Sequence, residues 1–376
     1  MESLIVKGTF HGKNGHDRHT REFTREMVKQ GVSVRLLDFE EFSHIKLPAW
    51  QQESFYSRLS KADEAKTILH FTMPHQVERS PRLHNVNFTM FEATRVPAKW
   101  IEHNREHDLL ILPTRVCEHA WLDSGYPAER IRLCPLGVDL ESFHPDVTPL
   151  ELRDERGIPI REYKMRVLNI SHISPRKNLL ALLRVWIEAT SKSDDMILIL
   201  KWDCPWKRWL SKFFLDVWLM ERRLGKTRKD CAPILWLINR DFSDGQLPGL
   251  YAAATHYWSM SHGEGWDLCM MEAGAAGLYL IAPEHSSYTT YLDPSVADLI
   301  PSRRVPARFF WAYGMHKMFE GAEWWLPDEK TAAAHLRRAL SQWQGERNEL
   351  ARQRFLTEFS WNRATSRLLE ILEDLA

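Results

Sequence analysis

The chain has 376 residues, 44% of them hydrophobic and 27% charged. That length exceeds what one hydrophobic core serves, and the composition leaves no room for a long disordered tract, so two globular domains are expected. Lysine plus arginine equals aspartate plus glutamate at 50 each, so no global field favours nucleic acid, which is not expected as a partner.

The five cysteines, Cys117, Cys134, Cys204, Cys231 and Cys269, include no CxxC pair. This argues against a disulfide framework or a structural zinc site and for a reducing compartment. The opening MESLIVKGTF runs straight into a strand-like segment without a signal-peptide pattern, and no apolar stretch approaches the roughly 18 residues that span a bilayer. A cytoplasmic protein is expected, with peripheral attachment at the inner membrane surface left open.

In chain order, short apolar runs alternate with amphipathic stretches, the pattern of a parallel sheet with crossover helices. Residues 4–10 read as a strand, 16–30 as a helix closed by Gly31, and 32–37 as a second strand. Gly12, Asn14 and Gly15 fall between the first strand and helix, where backbone can approach an acceptor or a diphosphate. The loop is no GxGxxG fingerprint, and alone it supports only a tight turn. His11, His16 and His19 cluster nearby, but no carboxylate or cysteine completes a ligand set, so no metal is assigned. Further strands are expected at 67–71, 86–90, 108–112 and 131–134, with Thr114 as N-cap of a helix ending at Gly125. His70 and His75 flank the loop after the strand ending at Phe71, either lining an acceptor site or simply hydrogen-bonded.

The pattern restarts after PLGVDLESFHPD, residues 135–146, with strands at 165–170, 196–201, 234–238, 256–260 and 278–282. The expected fold class is α/β, two Rossmann-like doubly wound domains facing across a cleft, with ligands beyond the carboxyl ends of the strands. The domains are expected at 1–145 and 146–355. Residues 360–375 read as an amphipathic helix, and 356–376 is expected to pack back on the first domain.

The segment CPWKRWLSKFFLDVWLMERRLGKTRK, residues 204–229, has an unusual composition. Trp206, Trp209, Leu210, Phe213, Phe214, Val217, Met220 and Leu224 share one helical face, and Lys207, Arg208, Lys212, Arg222 and Arg223 lie largely on the other. Residues 206–224 then read either as an interfacial helix on an anionic membrane or as a crossover helix packing its stripe on the sheet. The second is favoured, because every crossover helix needs such a stripe.

The chemistry is carried by a strand at 256–260, a loop at 261–266 and a helix beginning at Asp267. That order puts unpaired backbone N–H groups and the positive helix end where a phosphate can sit, and Gly263 and Gly265 let backbone approach a ligand. Glu264 lies in the loop and Glu272 eight positions on. The site offers one carboxylate to sugar hydroxyls, amides to a diphosphate and a second carboxylate to a ribose diol. Spacing alone fits equally a helix-start acid and an exposed helix residue.

The run EGWDLCMME resembles the E-x7-E motif of retaining glycosyltransferases of family 4, and the AGAAG that follows resembles that family's small-residue helix. Three other segments fall in the family's order: GTFHGKNGHDRHTREFTREMVKQGVSV resembles its N-terminal glycine loop and first helix, PLGVDLESFHP its interdomain signature, and ISHISPRKNLLALLRVW its phosphate-binding loop. The resemblance runs to the final FSWNRATSRLLEIL.

It implies a GT-B fold with the nucleotide held mainly by the second domain. By the same resemblance, Lys177 neutralises the donor diphosphate with Arg176 beside it. Glu264 and the amides of Gly265, Trp266, Asp267 and Leu268 hold the sugar and phosphates, Glu272 the ribose, and the backbone around Asn239 the base. Such enzymes use cationic side chains and helix dipoles in place of a metal, and the chain has no Asp-x-Asp motif. No cofactor is expected beyond the nucleotide-sugar co-substrate.

Two positions depart from the pattern. His172 stands where the family commonly has an arginine, so positive charge there depends on its protonation. Glu92, in the TMFE segment, stands where many members have an acceptor-side histidine, which reads as a subgroup. Glu92 either contacts the donor sugar or acceptor hydroxyl, or is an ion-paired acid near Arg95. The expected activity is retaining, metal-independent hexosyl transfer to a glycan, lipid-linked or other hydroxyl acceptor, with Lys177, Glu264 and Glu92 as catalytic candidates. A sugar-nucleotide epimerase of the same architecture is one alternative. A noncatalytic nucleotide-sugar or glycan-binding subunit is another, kept open by His172 and Glu92.

Overall fold

The computed structural model describes residues 1–39, 53–59, 64–308 and 315–375. Its chain separates into two units. The first comprises residues 1–137, 306–323 and 358–376, and the second residues 138–305 and 324–357.

The first unit is built on a six-stranded sheet: β1 (Ser3–Gly8), β2 (Ser33–Asp38), β3 (Thr67–Phe71), β4 (His84–Phe88), β5 (Leu109–Leu112) and β6 (Ile131–Leu133). Its order is β2-β1-β3-β4-β5-β6, and every pairing is parallel. All five residues of β3 and all four of β5 are buried, as expected of strands covered on both faces. The helix Gly15–Lys29 begins where Asn14 accepts hydrogen bonds from the backbone of His16 and Asp17. The helix Arg115–Leu122 begins at Thr114, whose hydroxyl accepts from the Cys117 amide at 3.1 Å. The last helix, Trp361–Glu373, packs within this unit, its Trp361 ring set edge-on against Phe23.

Residues 306–323 also belong here. The Thr94 amide donates to the Glu323 carbonyl at 3.1 Å, the Glu323 amide to the Thr94 hydroxyl at 2.9 Å, and Phe319 stacks on Phe91. The sequence reading runs the second domain through this excursion, because no periodicity marks it.

The second unit repeats the plan with β7 (Met165–His172), β8 (Met196–Asp203), β9 (Ile234–Trp236), β10 (His256–Trp258), β11 (Tyr279–Pro283) and β12 (Ala297–Ile300). The order is β12-β11-β10-β7-β8-β9, again all parallel. The helix Leu179–Ala189 buries Leu182, Leu183, Trp186 and Ile187 in a core that also takes the apolar side of β8. Both units are therefore doubly wound, Rossmann-like sheets. In each the order reverses once, between β1 and β3 and between β7 and β10. Loops leaving the carboxyl ends of those strand pairs are where such sheets hold ligands.

Candidate functional site

In the second unit, Asn169 on β7 fixes the reversal point. Its Nδ2 donates to the Trp258 carbonyl on β10 at 2.7 Å, and its Oδ1 accepts the Trp202 indole N–H from β8 at 2.7 Å. Beyond β7 the chain makes a tight turn over Pro175–Lys177, closed by Asn178 in a left-handed conformation with φ 51°, and enters the next helix. Beyond β10 it makes the loop leading to the helix Leu268–Ala275. The two loops are tied through the Arg176 carbonyl, which accepts from the His262 amide at 2.7 Å and the Ser261 hydroxyl at 3.3 Å.

Their side chains meet at Glu264. Lys177 Nζ lies 2.6 Å from Oε1, and an Arg176 guanidinium nitrogen lies 2.8 Å from Oε2 and 2.6 Å from the Gly263 carbonyl. The Glu264 side chain is 4% exposed, those of the two cations 18% each. Burial pushes the carboxyl up, but the Lys177 and Arg176 charges and hydrogen bonds from Lys177 and Ser261 outweigh it and bring it down to about 2. The carboxylate is therefore ionised at any ordinary pH.

A third loop, after β11, clamps the Glu264 backbone. The Glu264 amide donates to Ser286 Oγ at 3.1 Å, and the Ser287 amide to the Glu264 carbonyl at 3.2 Å. His285 lies 3.0 Å by Nε2 from the Ser261 carbonyl and 2.9 Å by Nδ1 from Ser286 Oγ. Burial lowers its pKa to about 3, so the ring is neutral. A carbonyl can only accept, so the ring nitrogen facing it must carry the proton; the N–H therefore sits on Nε2 and Ser286 donates to Nδ1. Ser286 itself holds a positive φ of 47°.

Asp267 is the N-cap of the helix Leu268–Ala275, accepting the Met270 amide at 3.3 Å and the Tyr288 hydroxyl at 2.8 Å. Burial and then the Glu264 charge raise its pKa. The Leu268 amide lies in the helix's first turn, where no intrahelical acceptor exists. Gly265 and Trp266 are buried beside it, the Trp266 indole N–H donating to Met271 Sδ.

The structure removes the exposed-residue alternative for Glu272. Its side chain faces inward, 1% exposed, and accepts the Tyr251 hydroxyl at 2.6 Å. Asn239 takes a left-handed conformation, φ 53°, and its amide exchanges two hydrogen bonds with the Cys204 backbone at 2.7 and 3.0 Å. That leaves backbone, not this side chain, as what the 238–240 turn can present. His172 keeps an exposed face. Desolvation lowers its pKa, Asp203 opposes this, and Lys177, Lys201 and Arg176 add to the lowering. The ring is neutral at neutral pH, so this position does not supply the charge of an arginine. Lys201, paired to Asp203 Oδ2 at 2.5 Å, is the further cation there.

The first unit holds the other candidates. Asp17 receives the amides of Gly12 at 2.9 Å and Asn14 at 3.3 Å, while Arg21 reaches the Phe10 and Gly12 carbonyls at 2.9 and 2.7 Å. The loop is thus closed by the helix's own side chains, and Gly15 is the exposed first residue of that helix. His70 is buried on β3 and neutral, its pKa lowered to about 3 by desolvation first, with the Asn85 side chain opposing the shift. His75 is exposed and stacks on Trp100. His19 is buried against Phe71 and Phe88. Glu92 is half-buried between Phe91 and Thr94, the two residues pinned by the 306–323 excursion.

The structure therefore brings Arg176, Lys177, Glu264, Gly265, Trp266, Asp267 and Leu268 together, with His172 at the end of the same strand. Sequence reasoning missed His285, Ser286, Ser287 and Tyr288, although their run, HSSY, leaves the carboxyl end of a strand next to β10. It also missed Tyr251, Lys201 and the closure by Asp17 and Arg21.

No protein-family model matches the chain. It is 25% identical over 310 residues to the amylovoran biosynthesis glycosyltransferase AmsK of Erwinia amylovora. That match takes in 77% of this chain and 64% of AmsK, so the chain spans somewhat less than two thirds of that relative. Among solved structures it resembles sucrose-phosphate synthase from Thermosynechococcus elongatus, with a TM-score of 0.66 at 14% identity, covering 100% of this chain and 99% of the other. It resembles equally Anabaena HepE in complex with UDP and glucose, at a TM-score of 0.67 and 12% identity over 99% and 100% of the chains. A glycosyltransferase from Rickettsia africae matches at a TM-score of 0.67 and 13% identity over 100% and 98%. The fold is that of the GT-B glycosyltransferases, two parallel-sheet Rossmann-like domains.

Proposed function

We propose that the chain is a glycosyltransferase of GT-B type that takes a nucleotide-sugar donor, and that its donor diphosphate binds at Lys177, Arg176 and the start of the helix Leu268–Ala275. The observation that carries this reading is the junction of the 173–178 and 259–267 loops at the strand-order reversal. There two cations converge on one buried carboxylate, three residues before the N-cap of a helix. The likeness to AmsK and to HepE, whose structure holds UDP and glucose, supports the substrate class.

The chemistry follows from the charges. Breaking a glycosyl–phosphate bond builds positive charge at the anomeric carbon and negative charge on the departing diphosphate. Lys177 has three N–H donors and uses one on Glu264, which leaves two for phosphate oxygens. Because Glu264 and the His285–Ser286 clamp already fix the loop, little reorganisation remains for the reaction to drive. In this reading Glu264 also faces the donor sugar's hydroxyls and Glu272 the ribose, with Tyr251 holding one Glu272 oxygen. Asn239 and its neighbours present backbone to the base. The finer assignment is a family 4 enzyme that transfers a hexose with retention and without metal. Glu92, Gly12, Asn14, Gly15, His70 and His75 then belong to the acceptor side, the acceptor being a glycan, lipid-linked or other hydroxyl. A cytoplasmic setting belongs to the same proposal.

The test is incubation with a panel of nucleotide sugars, following nucleotide release with and without candidate acceptors. Acceptor-stimulated release is the expected result. Sugar interconversion without release points instead to an epimerase, and tight binding with neither to a noncatalytic subunit; either contradicts transfer.

A further inference from the structure

The helix Lys207–Leu224 connects β8 to β9. Its sequence stripe goes where a crossover helix sends it: Phe213 and Val217 are buried in the second unit's core, with Trp209, Leu210, Phe214, Met220 and Leu224 packed against it. Trp206 does not follow the stripe, because it precedes the helix as N-cap and is 45% exposed.

The outer face carries a second apolar set. Leu215 is 51% exposed, Trp218 46% and Leu219 38%, so with Trp206 this one element holds four of the five large exposed hydrophobics among the described residues. Lys207, Arg208, Lys212, Arg222 and Arg223 are all exposed on the same helix. The helix has two acids: Asp216 offsets Lys212, and Glu221 is buried against Arg228, so the excess positive charge of the helix rests on Lys207, Arg208, Arg222 and Arg223. At 100° per residue Leu215, Trp218 and Leu219 fall within one arc, interleaved with Arg208 and Arg222. The Arg222 guanidinium lies 4.6 Å over the Trp218 ring.

We infer that this outer face docks on an anionic lipid surface, the helix lying flat with Trp206, Leu215, Trp218 and Leu219 entering the headgroup region. The charge pattern selects this occupant. The exposed apolar residues sit among exposed cations, with Arg208 and Arg222 in the same arc and the helix's two acids already engaged by Lys212 and Arg228, a pattern that complements an anionic surface. Long cationic side chains keep their heads among phosphates while their stems cover the acyl boundary, and tryptophan suits the same depth. No described helix is long and apolar enough to cross a membrane, so attachment through this face would be peripheral.

Vesicle co-sedimentation of the full chain tests this without turnover, so its outcome is independent of the proposed glycosyl transfer. Binding is expected to vesicles with about a third phosphatidylglycerol and to be far weaker to phosphatidylcholine alone. Trp218→Ser with Leu219→Ser, and separately Arg222→Glu with Arg223→Glu, should each cut binding by roughly tenfold or more, with thermal unfolding unchanged because all four side chains are exposed. Added salt should weaken wild-type binding. Failure of the intact chain to bind anionic vesicles overturns the inference, and so does binding that both variants retain. A dimer in sedimentation analysis that Trp218→Ser dissociates overturns it too, by assigning the face to a second copy of the chain.

Discussion

Glu264 keeps its negative charge inside the protein because Lys177 and Arg176 sit on its two oxygens. Replacing Lys177 by Met leaves Arg176 in place. The expected cost at neutral pH is therefore on the order of 2 kcal/mol, below the roughly 3 to 5 kcal/mol of a buried charge with no partner. The pH dependence has a definite sign. The folded carboxyl titrates near 2 against an ordinary 4.5, so its stabilisation is complete above about 4.5 and drains away as pH falls toward 2. Urea unfolding should show a wide gap between wild type and Lys177→Met at about pH 7 that narrows at about pH 3; an equal gap at both contradicts the ion pair. Under the proposed activity the same substitution should lower kcat/KM by about two to three orders of magnitude. His285→Phe preserves the stack on Trp325 but deletes both ring hydrogen bonds, at about 1 to 3 kcal/mol. Donor binding should weaken by roughly tenfold as the Glu264 loop loosens, and unchanged affinity would show that the clamp does not position the site.

At the scale of elements, the helix Leu268–Ala275 has a constraint that propensity alone misjudges. Gly274→Ala would gain about 1 kcal/mol in an exposed helix, but a Cβ at Gly274 runs into the Phe355 ring. The substitution should therefore destabilise by roughly 1 to 3 kcal/mol net, and Phe355→Leu should restore part of the loss. A stabilised Gly274→Ala, measured by thermal unfolding, contradicts that packing. The strands were legible because parallel sheets make short apolar runs, and Thr114 because a capping side chain has a sequence signature. Ranges still differ at the ends: the strand read at 4–10 is Ser3–Gly8, and that read at 234–238 is Ile234–Trp236. Arg176, Lys177 and Glu264 could be named from motif order. The clamp from His285 could not, because it joins loops after two different strands, β10 and β11. Nor could the exposed Leu215, Trp218 and Leu219, since a helix with two apolar arcs does not declare which one packs.

At the scale of the whole molecule, the first unit is discontinuous: its sheet is complete by residue 137, yet residues 358–376 return to it. Trp361, Leu368, Ile371 and Leu372 of the last helix are buried there, so a chain ending at 357 should lose the first unit while the second resists limited proteolysis. Equal resistance of both contradicts that assignment. The central claim, that Lys177 belongs to a site for a nucleoside diphosphate in the second unit, is tested most directly by calorimetric titration of UDP, GDP and ADP into wild type and Lys177→Met. The account predicts that at least one binds wild type and that Lys177→Met weakens it by roughly a hundredfold, while the matching nucleoside without phosphates does not distinguish the two proteins. Binding of equal strength to both proteins, or of none of the three to wild type, would contradict it.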